Sequence, residues 1–95
     1  MVETVWVMTS WCDGADGENV NGVYDDFEIA ADAAIKTIKE IEADLKVHTE
    51  YETAIETAFC DGMATYRLCT KLGDNPFYPS DVIELRRYNI NTIRR

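Results

Sequence analysis

Four acidic residues stand close together in the sequence at the start of one amphipathic segment: Asp25, Asp26, Glu28 and Asp32. If the segment is helical, residues three and four apart share a face, and the carboxylates of Asp25, Glu28 and Asp32 lie about 6 Å apart. That spacing approaches the distance between successive phosphates of a nucleic-acid strand. Such a surface can occupy a basic groove on another protein. The simpler interpretation is a solvated helix face with a charged first turn.

A second acidic patch lies in the Gly/Asp-rich segment CDGADGEN, which contains Asp13, Asp16 and Glu18. Closely spaced oxygen ligands invite a calcium interpretation. An EF-hand loop, however, needs acids at alternate positions and a Glu at the twelfth, and the twelfth residue from Asp13 is Tyr24. The pattern therefore favours a solvated loop between two strands over a metal site, and no cofactor is predicted.

Residues that could carry catalysis are few. The chain has one histidine, His48, and three cysteines, Cys12, Cys60 and Cys69, with no Cys-x-x-Cys pair. An odd number without that spacing indicates reduced thiols and no zinc site. No phosphate-binding loop, Gly-x-Ser-x-Gly or His-Glu-x-x-His motif occurs. We therefore expect no catalytic centre, and a small metal-dependent enzyme is a disfavoured alternative.

The charge is distributed unevenly along the chain. The net charge is −9, made up of −12 over residues 1–61 and +3 over residues 62–95. An acidic protein of this kind repels nucleic acid and anionic membranes, so neither is an expected partner. No apolar run is long enough to span a membrane. The start Met1-Val2-Glu3 lacks the basic and apolar parts of a signal peptide, so we expect a cytoplasmic location.

The first predicted strand, Thr4–Trp11, alternates in a two-residue period. Both of its faces are largely apolar, which suggests a strand that is covered on both sides. One helix can cover one face, and the other face then needs a loop, a bent strand or another chain. Trp6 and Trp11 fall on opposite faces, and both are candidate interface aromatics because tryptophan is a common anchor of protein contacts.

The helix signal follows a short second strand, Val20–Tyr24. Asp25 is a good N-cap residue, and Glu28 completes an Asp version of the capping box. Apolar residues then recur at steps of three and four as far as Leu45, where we expect the helix to end. The members of this stripe are Phe27, Ala31, Ala34, Ile38, Ile41 and Leu45.

The pair Asp61-Gly62 favours a two-residue hairpin turn. With this pair at the tip, Phe59 faces Ala64 on the apolar side and Glu52 faces Lys71 on the other. A last strand is expected at 82–90, after a loop marked by two prolines. The fold class predicted is α+β, a single domain over residues 1–95 in the order β-β-α-β-β-β, with one main helix on a mostly antiparallel sheet and a frayed end at 91–95.

The run from the aromatic strand through the acidic loop to GVYDDFEIAADAA resembles small acidic proteins of bacteriophages and other mobile elements. The resemblance covers residues 4–45. Some small acidic phage proteins inhibit host defence systems such as CRISPR effectors and restriction enzymes, often by imitating DNA. The resemblance implies a phage-encoded inhibitor in the host cytoplasm and assigns no functional residue.

Together these features predict a non-enzymatic protein-binding module that uses its acidic helix face to block a basic, nucleic-acid-binding surface of a host defence protein. The alternative is a self-associating structural or accessory phage protein, for instance a homodimer, without an inhibitory role. The two-sided apolar character of Thr4–Trp11 motivates that alternative.

Overall fold

The computed structural model describes residues 4–12, 19–48 and 52–89. Its five strands and one helix follow the predicted order β-β-α-β-β-β, and the α+β fold class is confirmed. The elements are β1 (Thr4–Cys12), β2 (Asn19–Tyr24), α1 (Phe27–His48), β3 (Glu52–Cys60), β4 (Met63–Lys71) and β5 (Tyr78–Asn89). The expectations for the loop at 13–18 and for fraying at 91–95 fall outside the described residues.

The sheet joins two hairpins that are separated in sequence by the helix. The strand order is β2-β1-β5-β4-β3, and every neighbouring pair is antiparallel. The last strand, β5, lies in the centre and pairs with β1 on one side and β4 on the other. The fold is thus completed only when the C-terminal strand is inserted between the two hairpins.

The β3–β4 hairpin has the predicted register throughout. Phe59 pairs with Ala64 and Glu52 with Lys71, on either side of a turn at Asp61 and Gly62. Gly62 has φ +77°, in the left-handed region that glycine enters at little cost. Asp61 has no positive φ, so the turn is not the type I′ turn, which needs positive φ at both central residues; the turn depends on Gly62 alone.

The start of β5 differs from the prediction, because the strand begins at Tyr78 and includes Pro79. A proline in a central strand would remove a ladder hydrogen bond. Among the described residues β1 pairs with β5 only as far as Asp81, so Pro79 has a described neighbouring strand on one side alone. The register of β4 and β5 also shifts between Leu68 and Cys69, beside the proline. Pro79 is therefore tolerated because it lies in the part of β5 that pairs only with β4 among the described strands, next to the register shift.

The core lies between α1 and one face of the sheet. Ala30, Ala34 and Ile38 are fully buried on the helix, so small side chains let its backbone approach the strands. The helix continues three residues past Leu45, the expected end. On the sheet side the buried apolar residues that pack against it are Trp6, Met8, Ala64, Tyr66, Leu68, Ile83 and Leu85.

The opposite face of the sheet, here called the open face, carries no described helix or strand. Its residues follow from the register of the five strands, since paired residues share a face. The β1–β2 part is apolar and the β3–β4 part is charged. Its apolar members include Val5, Val7, Trp11, Val20, Val23, Val82 and Tyr88.

Candidate functional site

The four acids singled out in the sequence lie together where β2 passes into α1. Asp25 and Asp26 precede the first helical residue, and Glu28 and Asp32 lie on the first two turns. All four side chains are exposed. We call this set the acidic surface. The acids that form ion pairs between described residues are Glu52, Asp61 and Glu84. Among the described residues, therefore, no Lys or Arg nitrogen lies within 4.0 Å of the four carboxylates of the acidic surface.

The N-cap residue of the helix is Asp26, and the prediction that Asp25 is the N-cap is wrong. The Glu28 backbone N–H donates to Asp26 Oδ1 at 3.1 Å, and the Ala30 N–H donates to the Asp26 carbonyl at 3.0 Å. These are the bonds expected of an N-cap residue. With Asp26 as the cap, Glu28 lies one position too early to close a capping box. Its carboxylate is left on the acidic surface.

Two exposed apolar side chains lie beside the acidic surface. Ile29 is 56% exposed, and its helical neighbours three residues away are Asp26 and Asp32. Phe59 is 67% exposed and meets Phe27 edge-on, with ring centroids 5.6 Å apart. The predicted register places Phe59 on the apolar side of the β3–β4 hairpin, and Ile29 lies outside the predicted apolar stripe of the helix. The ring of Phe59 stays exposed because α1 begins beside it, at Phe27, and does not pass over it. The position of the helix start over the sheet is set by tertiary packing.

Behind the acidic surface lies an aromatic cluster that holds the start of the helix. The Trp6 and Phe27 ring centroids are 4.6 Å apart, and Arg87 Cζ lies 5.9 Å from the Trp6 ring. The Arg87 guanidinium also donates to Asp61 Oδ1 at 3.4 Å. Trp6 is only 8% exposed, which removes it from the candidate interface residues. Trp11 is 36% exposed on the open face and remains a candidate.

Asp32 also acts on the core beneath it. Burial raises the pKa of Tyr66, and the negative charge of Asp32 raises it further. Both effects favour the protonated phenol of Tyr66, whose ring packs in the core. Asp32 is thus close enough to the sheet for its charge to reach buried groups, while its side chain remains exposed.

One thiol lies beside a carboxylate, and its surroundings do not activate it. Cys69 Sγ is 3.8 Å from Glu56 Oε1. Burial raises the pKa of Cys69 first, and the charge of Glu56 and its hydrogen bond raise it further, although Arg67 acts in the opposite direction. A nucleophilic cysteine needs the thiolate, which these neighbours disfavour. The arrangement is that of an inert thiol.

Other candidate residues do not converge on a site. Within residues 4–12, 19–48 and 52–89, no group of three His, Cys, Asp or Glu could hold a metal ion. Burial raises the pKa of Asp81, while a hydrogen bond from Ser80 lowers it. The second acidic patch, Asp13, Asp16 and Glu18, lies outside the described residues, and so does the calcium question attached to it.

The fold and the acidic surface define an α+β protein with one helix on a five-stranded antiparallel sheet and a carboxylate cluster at the start of that helix. Comparisons with protein-family models, curated proteins and solved structures find no match. In the described part of the chain, no helix is both long and apolar enough to cross a membrane.

Proposed function

We propose that this protein is a non-enzymatic binding module whose acidic surface docks on a basic surface of a partner protein. The observation that supports the proposal is the set of four exposed carboxylates at one end of α1, none of them paired with a base among the described residues. A basic partner would supply the missing positive charges.

The neighbouring apolar residues suit a protein partner. Charge complementarity mainly raises the association rate and fixes orientation, while buried apolar and aromatic anchors supply much of the affinity. Ile29 lies beside the acidic surface, and Phe59 lies beside the first helical residue. A protein with a basic groove and an apolar depression can contact both kinds of group.

The class of partner follows from the spacing of the acids. Glu28 and Asp32 lie one helical step of four apart, and Asp25 and Asp26 directly precede the helix. Carboxylates spaced this closely resemble a short row of phosphates, so the fitting surface is one that normally binds nucleic acid. The resemblance to small acidic phage proteins favours a host defence protein, with the chain acting in the host cytoplasm as its inhibitor. Direct binding to nucleic acid is disfavoured by the net charge of −9.

The test is affinity capture from a bacterial lysate, followed by binding measurements on each captured protein. We expect the double variant Glu28→Lys/Asp32→Lys to weaken binding at least tenfold. We also expect added salt to weaken wild-type binding, since exposed charges are screened. The matched control is Glu40→Lys/Asp74→Lys, which changes the net charge equally at exposed acids outside the acidic surface.

Two results would contradict the proposal. One is unchanged affinity of the Glu28→Lys/Asp32→Lys variant. The other is an equal loss in the control variant, which would show that net charge alone governs the interaction. Competition between this protein and DNA for the captured partner then tests the inhibitory role separately.

A further inference from the structure

The open face of the sheet is a surface that the proposed function does not use. On its β1–β2 side, Val20 is 68% exposed and Val23 is 60% exposed, although both lie in a strand. Trp11 and Tyr88 are 36% and 42% exposed nearby. Contiguous apolar surface of this kind marks an interaction site in a soluble protein. The helix lies on the other side of the sheet and cannot cover these residues.

The charges on the open face are balanced, unlike those of the whole chain. Among the described residues this face carries three acids and three bases; two of the acid–base pairs are cross-strand partners, and the other pair lies two residues apart on β5. Arg86 Nη2 lies 3.1 Å from Glu84 Oε2, and Lys71 Nζ lies 3.6 Å from Glu52 Oε2. The third acid and base, Glu56 and Arg67, are cross-strand partners. A strongly basic or acidic partner therefore gains little here.

We infer that the open face binds a second copy of this chain, forming a two-fold symmetric dimer with the two sheets face to face. Two chains of charge −9 repel wherever acidic surfaces meet, and the open face is a neutral surface on which they can approach. A two-fold axis that lies between the two sheets and runs across the strands sets β1 and β2 against the same strands of the copy, so the apolar stripe is self-complementary.

The size of the face agrees with a stable dimer. Strands of nine residues in a five-stranded sheet span about 30 Å by about 24 Å, or about 700 Å². A standard stable interface buries roughly 800 Å² per partner. Face-to-face sheets pack about 10 Å apart with their strands about 30° from parallel, which leaves room for Trp11 and Tyr88 between them. Both acidic surfaces would then point outward.

The experiment is sedimentation equilibrium of the purified chain and of two lysine variants. We expect a wild-type dimer, and Val23→Lys should raise the dimer dissociation constant at least tenfold, because the new charge would be buried on association. The control is Ile29→Lys, which places the same group at an isoleucine of similar exposure on the helix, 56% against 60%. The control should leave the dissociation constant unchanged.

A wild-type chain that is monomeric at about 100 μM would overturn the inference. At that concentration a dimer of micromolar affinity would be almost fully formed. A dimer that Val23→Lys leaves intact, or that Ile29→Lys disrupts equally, would also overturn it. If Val23→Lys does not fold by circular dichroism, Val23→Thr keeps the shape and strand preference and should still weaken the dimer. Added salt should strengthen this dimer by screening the repulsion between chains, whereas it should weaken binding at the acidic surface, so the two proposals fail separately.

Discussion

At the scale of single residues, two adjacent aspartates have different roles although their chemistry is the same. Asp26 holds the first turn of α1 through its Oδ1 and its carbonyl, whereas no hydrogen bond to the Asp25 side chain occurs among the described residues. Both are exposed and both place negative charge near the helix N-terminus, where the helix dipole favours it. The difference between them is therefore the cap alone, and it can be measured.

We expect Asp26→Ala to lower the free energy of unfolding by about 1 kcal/mol, the usual cost of losing an N-cap side chain. Asp25→Ala should cost clearly less, since it removes a similar charge without removing the cap. Urea denaturation followed by circular dichroism measures both. A larger loss for Asp25→Ala would show that the helix starts one residue earlier than the structure places it.

At the scale of elements, the β3–β4 hairpin depends on the backbone of one residue. The Arg87 N–H donates to the Gly62 carbonyl at 2.9 Å, so the turn is also tied to the centre of the sheet. A Cβ added to Gly62 would meet the Arg87 guanidinium at 3.5 Å, an ordinary contact. Space is therefore available, and the φ of +77° is what restricts the residue.

For this reason Gly62→Ala should destabilise the fold by about 1–2 kcal/mol, the cost of a left-handed conformation for a residue with a Cβ. Gly62→Asn should cost less, because asparagine tolerates this region. Gly73→Ala is the matched control: its φ is +61° with nothing within 4 Å of an added Cβ, so a similar loss would isolate the backbone effect. Full stability of Gly62→Ala in urea titrations would contradict this account of the turn.

The two ends of α1 are attached to the sheet in different ways. Its start is held by Phe27 in the aromatic cluster with Trp6. Further along, the Thr53 hydroxyl donates to Glu42 Oε2 at 2.7 Å, which ties the helix to the edge strand β3. The contact between Phe27 and Trp6 therefore positions the first turn of the helix, on which Glu28 of the acidic surface lies.

At the scale of the whole molecule, stability rests on one thin core between the helix and the sheet. Leu68 and Leu72 are close in sequence, yet Leu68 is 0% exposed in the centre of that core and Leu72 is 48% exposed after the end of β4. The pair separates the effect of burial from the effect of residue type.

Leu68→Ala should lower the free energy of unfolding by about 2–5 kcal/mol, the range for a leucine truncated in a packed core. Leu72→Ala should lower the free energy of unfolding by less than about 1 kcal/mol, because folding removes less apolar area of this side chain from water. Chemical denaturation of both variants at one protein concentration provides the measurement. Equal losses at the two positions would mean that the core is not where the structure places it.

A dimer through the open face would give the molecule two acidic surfaces pointing away from each other. One assembly could then engage two copies of a basic partner, and its avidity would depend on the distance between their sites. The proposed function and the proposed dimer involve opposite sides of the sheet, so each can be disrupted by variants that leave the other surface unaltered.

The sequence by itself determined the features that depend on local periodicity and turn chemistry. The alternation of β1, the stripe of α1 and the Asp61-Gly62 turn act over a few residues, so the order of elements and the β3–β4 register could be read directly. The acidic surface could also be located, because its four residues are close neighbours in the sequence, within residues 25–32.

Only the tertiary structure decided how the two hairpins are joined in one sheet and which side chains stayed exposed. The position of β5 between β1 and β4 depends on contacts between residues far apart in sequence. The same contacts determine that Pro79 pairs with β4 on one side, which is how a proline can be part of this strand. Long-range packing also buried Trp6 and left Phe59 outside, although both are aromatic residues on the helix side of the sheet. The burial of a side chain depends on how the helix packs on the sheet. Local sequence patterns do not show where the helix stops covering the sheet.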